Sequence, residues 1–266
     1  YQLILELCGH YNYQLRYREA IELYNRADSL HPEDPEIRRN VRRQRAPRFL
    51  NTLQFAKAEA DFLFCEAHKP GTLDIAYRLG LTCYMMGRRS EAADWFARAR
   101  EYARSGSDGE MEAAALYWQI LTAASLRETF GPWLTFDFTR NIDHHWAYRN
   151  TIKFFYDAFG PGGICEGGLK GGLGKQAAEK LSPRRREALL NAAAGLYRPP
   201  APEDDEEQTM NGTILNYGVY RFYRYLGETD RAAETFKVIL EHDAFWPCYA
   251  YLAAWTDRGE PAGNVC

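Results

Sequence analysis

Apolar positions recur at helical spacing along most of this chain, and they are most regular between Leu79 and Tyr102. There Leu79, Cys83 and Met86 repeat at intervals of four and three residues, and Ala92, Phe96 and Ala99 do the same. That period predicts two short helices. Gly87 separates the runs, where a tight reversal needs a residue free to take positive φ. Small residues at Gly80, Ala92 and Ala99 let the two helices approach closely, and Phe96 fills the remaining gap. A hairpin this short cannot bury its apolar face alone, so the pattern demands neighbours.

Related patterns lie on both sides. Leu7, Cys8, Tyr11, Ala20, Tyr24, Ala27 and Pro32 hold the same relative spacings near the start, with Leu15 in place of the turn glycine. Ala58, Phe62, Cys65 and Pro70 repeat the second half once more, but Pro47 is expected to interrupt the preceding helix. Gly227, Ala232 and Phe236 mark a last copy, with Tyr220 where a small residue is wanted. This L-G, Gly, A-x3-F-x2-A pattern resembles the tetratricopeptide repeat over roughly residues 1–102 and 213–258. The resemblance implies an all-α solenoid of helical hairpins: repeats and a following helix over 1–128, a divergent Gly-rich helical insertion over 129–210, a last repeat with a capping helix over 211–258, and a tail over 259–266. Because solenoids need capped ends, a first repeat beginning at Tyr1 is expected to continue upstream or to dock on a partner.

The resemblance also implies a function. The first helices of such repeats line a concave groove that holds a peptide or a partner protein, so the expected role is an adaptor, scaffold or assembly factor. The corresponding groove positions are Leu5, Gly9, Asn12 and Tyr13, then Asp74, Tyr77, Arg78, Leu81, Tyr84 and Met85, then Tyr217, Arg221, Arg224 and Tyr225. Tyrosine and arginine are enriched at binding hot spots, although the insertion is an equally good filler of the groove. Co-chaperones of this family hold a chaperone's C-terminal carboxylate with Lys and Asn, then Asn, then Lys and Arg. The matching places hold Leu5 and Gly9, Gln44, and Asp74 and Arg78, and Arg78 alone fits, which disfavours that ligand.

Elsewhere the pattern is less regular. Asp34-Pro35 predicts a helix start, and Ser107 with Glu110 predicts a capping box opening a helix to about Arg127. TFDFT at 135–139 alternates like a short strand or an extended connection. Trp146–Phe159 and Pro183–Tyr197 read as helices, and another is expected from Pro247. RPPAPEDDEEQ at 198–208 combines prolines with five consecutive acids and reads as a mobile linker.

Charge and composition narrow the functional classes. The net charge of −3 gives no global case for nucleic acid or an anionic membrane, and no apolar run approaches membrane-spanning length. Six arginines, Arg38, Arg39, Arg42, Arg43, Arg45 and Arg48, form a basic patch that offers a third reading, a nucleic-acid surface, although a helix face balanced by acids is favoured and no aromatic platform is interleaved. The six cysteines form no CxxC pair, and Cys8, Cys65 and Cys83 hold small-residue helix positions. Buried thiols in a reducing, cytoplasmic setting are therefore expected rather than a disulfide framework.

Candidate chemistry is sparse. The eight glycines between Gly160 and Gly174 invite a phosphate-loop reading, but Gly174-Lys175 is followed by Gln176, and Leu169 stands where the first glycine is required. Adjacent His144 and His145 would diverge on a helix, and neither HExxH nor a Cys/His cluster is present. No metal, no cofactor and no small-molecule substrate are expected. An alternative reading, a hydrolase or transferase, would place its site in 129–180 with Asp137, Asp143, His144, His145 and Glu166 as the first candidates.

Overall fold

The computed structural model describes residues 1–31, 33–131, 133–166 and 181–259. Pro32, the Gly-rich residues from 167 and the tail from 260 lie outside the described residues, and so does the phosphate-loop reading of Gly174-Lys175. The chain is all-α, and no strand occurs among the described residues. Residues 135–139 form an extended connection ending in a turn, not a strand. Two compact units divide at Tyr102/Ala103, upstream of the boundary expected near residue 128.

Unit 1 contains α1 (Gln2–Tyr13), α2 (Tyr17–Leu30), α3 (Pro35–Asn51), α4 (Phe55–His68), α5 (Leu73–Met85) and the greater part of α6 (Arg89–Ser105). In unit 2, α7 (Gly109–Leu126), α8 (Trp146–Phe159), α9 (Pro183–Leu196), α10 (Glu206–Leu226), α11 (Thr229–Glu241) and α12 (Tyr249–Asp257) follow. Asp34 caps α3 by accepting from Ile37 N at 3.0 Å, and Ser182 caps α9 by accepting from Arg185 N. At α7 the cap is Asp108, which accepts from Met111 N at 3.0 Å. Ser107 instead takes φ 57° in the turn before it. The last helix starts at Tyr249, two residues beyond the expected Pro247, with Cys248 at its N-cap.

Four hairpins share one register. A residue packed at the crossing, Cys8, Ala46, Gly80 or Tyr220, is followed seven residues on by a left-handed residue: Leu15, Leu53, Gly87 or Gly227, with φ between 57° and 79°. Twelve residues on comes a buried alanine, Ala20, Ala58, Ala92 or Ala232. Sixteen on comes the aromatic: Tyr24, Phe62, Phe96 or Phe236. At the third crossing the Phe96 ring sits so close to Gly80 that a Cβ there would stand 2.6 Å from it. At the fourth, Tyr220 takes the small residue's place and packs its ring on Phe236 at 5.0 Å.

Pro47 does not interrupt its helix. It lies buried inside the continuous α3. A mid-helix proline costs about 3 kcal/mol, and α3 offsets that by burying Val41, Ala46, Phe49 and Leu50. A side chain of the size of Val, Leu or Phe contributes about 1.5–3 kcal/mol when fully buried.

The insertion forms the core of unit 2. Phe130 stacks on Phe159 at 4.9 Å, Phe154 meets Phe222 edge-on at 4.7 Å, and Tyr117 packs on Tyr148 at 4.8 Å. Gly218 on α10 makes this approach possible, because a Cβ there would lie 2.8 Å from Thr151 on α8. Helix α10 also runs unbroken through the expected 210/211 boundary. The 198–208 segment is not a loose linker: side chains of α10 and of the segment itself hold its backbone.

Candidate functional site

The groove positions of unit 1 divide between surface and core. Tyr13 is 90% exposed at the end of α1, and Gly9 is exposed on the same helix. Asn12 is half-buried and donates to Tyr24 OH at 3.0 Å. Leu5 packs partly buried against the cluster of Cys8, Ala20 and Tyr24. On α5, Arg78 pairs with Asp74 one turn earlier, and Arg43 of α3 reaches the same carboxylate at 3.0 Å. Both Asp74 and Arg78 keep about a quarter of their side chains in solvent. Tyr77, Leu81, Tyr84 and Met85 are buried. Tyr77 meets Phe96 edge-on, and Arg89 lies over the Tyr84 ring at 3.7 Å.

In unit 2 the corresponding residues point inward. Tyr217 OH donates to Asp257 Oδ2 at 3.0 Å, and Arg221 Nη1 donates to the same oxygen at 2.9 Å. Arg221 also bonds Ser125, so this network ties α10 to α12 and α7. Tyr225 packs between Phe130 and Phe159, at 5.4 Å and 5.5 Å. Arg224 is half-buried and donates to Tyr220 OH at 3.0 Å. Burial pushes the Tyr220 phenol up to about 12. Tyr217, Arg221 and Tyr225 lock the core of unit 2, and Tyr225 does so against Phe130 and Phe159 of the insertion.

The arginine helix is internally compensated. Arg38 and Arg42 both bond Asp28, Arg39 bonds Glu36, and Arg43 bonds Asp74. Arg45 forms a two-point pair with Asp61, both bonds at 2.8 Å, and donates to Asn25. Arg48 lies over the Tyr17 ring at 5.0 Å. Burial pushes the Asp61 carboxyl up, opposed by the bonds from Arg45. At Arg45 burial works against the cation, but the bonds and charges of Asp61 and Asp28 outweigh it and hold the guanidinium above its ordinary value. At Asp28, burial favours the neutral acid, but Arg42, Arg45 and Arg38 outweigh it and hold the carboxyl below the usual range. Arginines engaged this way are poorly placed to grip phosphates.

Among the candidate catalytic groups, Asp137 and residues 143–145 are tied into local structure. Asp137 accepts from Thr139 N and Oγ1, closing a turn whose bonds hold its carboxyl below the usual range. Glu110 accepts from the backbone N–H groups of Asp143 and His144, and lies 3.0 Å from His145 Nδ1. Asn211 completes this anchor by accepting from Ala147 N and donating to His144 O. Residues 143–145 are thus the fixed start of α8, with the His144 side chain 78% exposed and His145 stacked on Tyr148. Glu166 lies exposed in a separate turn. Among the described residues, no group of three or more His, Cys, Asp or Glu is placed to hold a metal ion. Cys8, Cys65, Cys83 and Cys248 are buried free thiols pushed up to about 11 by burial. No described helix is long and apolar enough to cross a membrane.

The 198–208 segment gave no sequence signal of a site beyond its prolines. Asn216 accepts from Arg198 N at 3.0 Å and donates to Arg198 O at 2.7 Å, clamping the backbone at both groups. Asp204 accepts from Arg198 Nη2 at 2.6 Å and from Ala201 N at 3.1 Å. Asp205 and Gln208 form a reciprocal capping box that starts α10. The segment so held walls a cavity of about 290 Å³ with Pro199, Pro200, Pro202, Gly212, Val238 and Ile239.

No protein-family model matches the chain, and no curated protein matches it.

Proposed function

We infer that the chain is a protein-interaction module, and that the surface of α1, α3 and α5 in unit 1 receives a peptide or a partner protein. The observation that carries this reading is Tyr13, 90% exposed at the end of α1. An exposed tyrosine supplies large, rigid contact area at low entropic cost. Asp74 and Arg78 offer a partly exposed acceptor and donor on α5, the first helix of the third hairpin. The shared register of the hairpins agrees with the tetratricopeptide resemblance, in which this face is the binding face. The internal pairing of the arginines and the separate structural duties of Asp137, Asp143 and His145 support this reading over the nucleic-acid and enzyme alternatives.

Quantitative affinity capture from the native source tests it. Tyr13→Ala with Arg78→Ala should deplete a specific partner at least about tenfold, since hot-spot truncations cost about 2 kcal/mol or more. Unchanged capture by this pair of substitutions, with the fold intact by circular dichroism, would contradict the assignment of the face.

A further inference from the structure

A cavity lies beside Arg198–Pro202. Its proline wall is held by two bonds to Asn216 and two to Asp204, so it is rigid before anything binds. Its floor contains Gly212, inside the 21-residue α10. A glycine within a helix costs roughly 0.8–1 kcal/mol relative to alanine. Packing explains two such residues, since a Cβ on Gly80 or Gly218 would collide with Phe96 or Thr151, whereas Gly9 of α1 and Gly195 of α9 face open space. At Gly212 a Cβ would meet only Arg198 Cδ, at an ordinary 3.9 Å. The glycine therefore relieves no clash and leaves the cavity open.

Size and charge define the occupant. About 290 Å³ lies just under the usual range for small-molecule sites, roughly 300–1,000 Å³. It suits a single side chain. The lining is largely apolar, and the Arg198 cation is neutralised by Asp204. Two exposed acids adjoin the lining along the chain: Glu203 lies between Pro202 and Asp204, and Asp243 between His242 and Ala244. We propose that this cavity is a socket for one apolar side chain of a partner peptide, with lysines or arginines on either side of it facing Glu203 and Asp243. The socket uses residues separate from the unit 1 face, so either assignment can fail alone.

The probes are the peptides Ac-Lys-Lys-X-Lys-Lys-NH2 with X as Leu, Phe or Gly, titrated into the ¹⁵N-labelled full chain at low salt. The Leu or Phe peptide should shift the amides of Gly212, Thr213, Val238 and Ile239 saturably, at least about tenfold tighter than the Gly peptide. Gly212→Leu should abolish those shifts and Gly212→Ala should retain them. Glu203→Lys with Asp243→Lys, both on the surface, should weaken binding about tenfold and raise no folding question. Absence of these shifts at about 1 mM peptide overturns the proposal. So does equal binding of the Gly peptide, which would mean charge alone, or equal binding of Ac-Ser-Ser-Leu-Ser-Ser-NH2, which would mean a neutral apolar site.

Discussion

Arg45 and Asp61 are each about nine-tenths or more buried and are joined by two bonds at 2.8 Å. Arg45→Ala strips the buried Asp61 of both bonds and leaves it only Arg42, at 4.0 Å, so it should cost about 3–5 kcal/mol in urea unfolding, whereas Arg45→Met with Asp61→Leu should recover most of it. Asp28 sets a pH dependence. Its folded carboxyl is held below the usual range by Arg42, Arg45 and Arg38, against the opposing effect of burial. Its contribution is therefore present above the unfolded carboxylate value and is lost as pH falls through the lowered folded value. Asp28→Asn should flatten the fall in urea midpoint on acidification below about pH 4. The contrary result, an unchanged acid limb, would place the acid sensitivity elsewhere. Cys8, Cys65, Cys83 and Cys248, raised to about 11, should resist a thiol reagent in the folded chain and react in denaturant.

Turns and crossings decide the hairpins. Leu15 and Leu53 occupy left-handed positions at φ 57° and 59°, with 42% and 39% of their surface exposed. Little packing would be lost on replacing them. Leu15→Gly and Leu53→Gly should each raise stability by up to about 1 kcal/mol, the left-handed cost less the extra freedom of glycine when unfolded. Gly80→Ala should instead destabilise by about 1–3 kcal/mol, because its Cβ would meet the Phe96 ring. These contrasts also explain how much of the fold is legible in the sequence. Gly87, Ala92 and Phe96 announce their hairpin because local preference and tertiary packing agree there. The second hairpin is half hidden because Pro47 and Leu53 oppose local preference and are overruled by burial along α3. The acids at 203–207 suggest a solvated linker, yet Asp204 and Asp205 bond Arg198, Ala201 and Gln208, and the clamp of Asn216 on Arg198 spans 18 residues, a pairing that no local pattern reveals. The inward turn of Tyr217, Arg221 and Tyr225 is hidden for the same reason, since their partners lie on α7, α8 and α12 and on the connection at Phe130.

At the scale of the whole chain, the two units use one hairpin register to different ends. Unit 1 leaves Tyr13, Asp74 and Arg78 accessible, and unit 2 closes around the aromatic cluster of α7, α8 and α10. The proposed partner recognition lies on the unit 1 face, and a photo-crosslinking amino acid tests that most directly. Placed at Tyr13 in the full chain and irradiated in the native source, it should yield one dominant adduct with a partner protein, reduced at least about tenfold by Arg78→Ala. The same probe at Leu63, an exposed apolar residue of α4, should not yield that adduct. No adduct from Tyr13, or the same adduct from both positions, would contradict the claim.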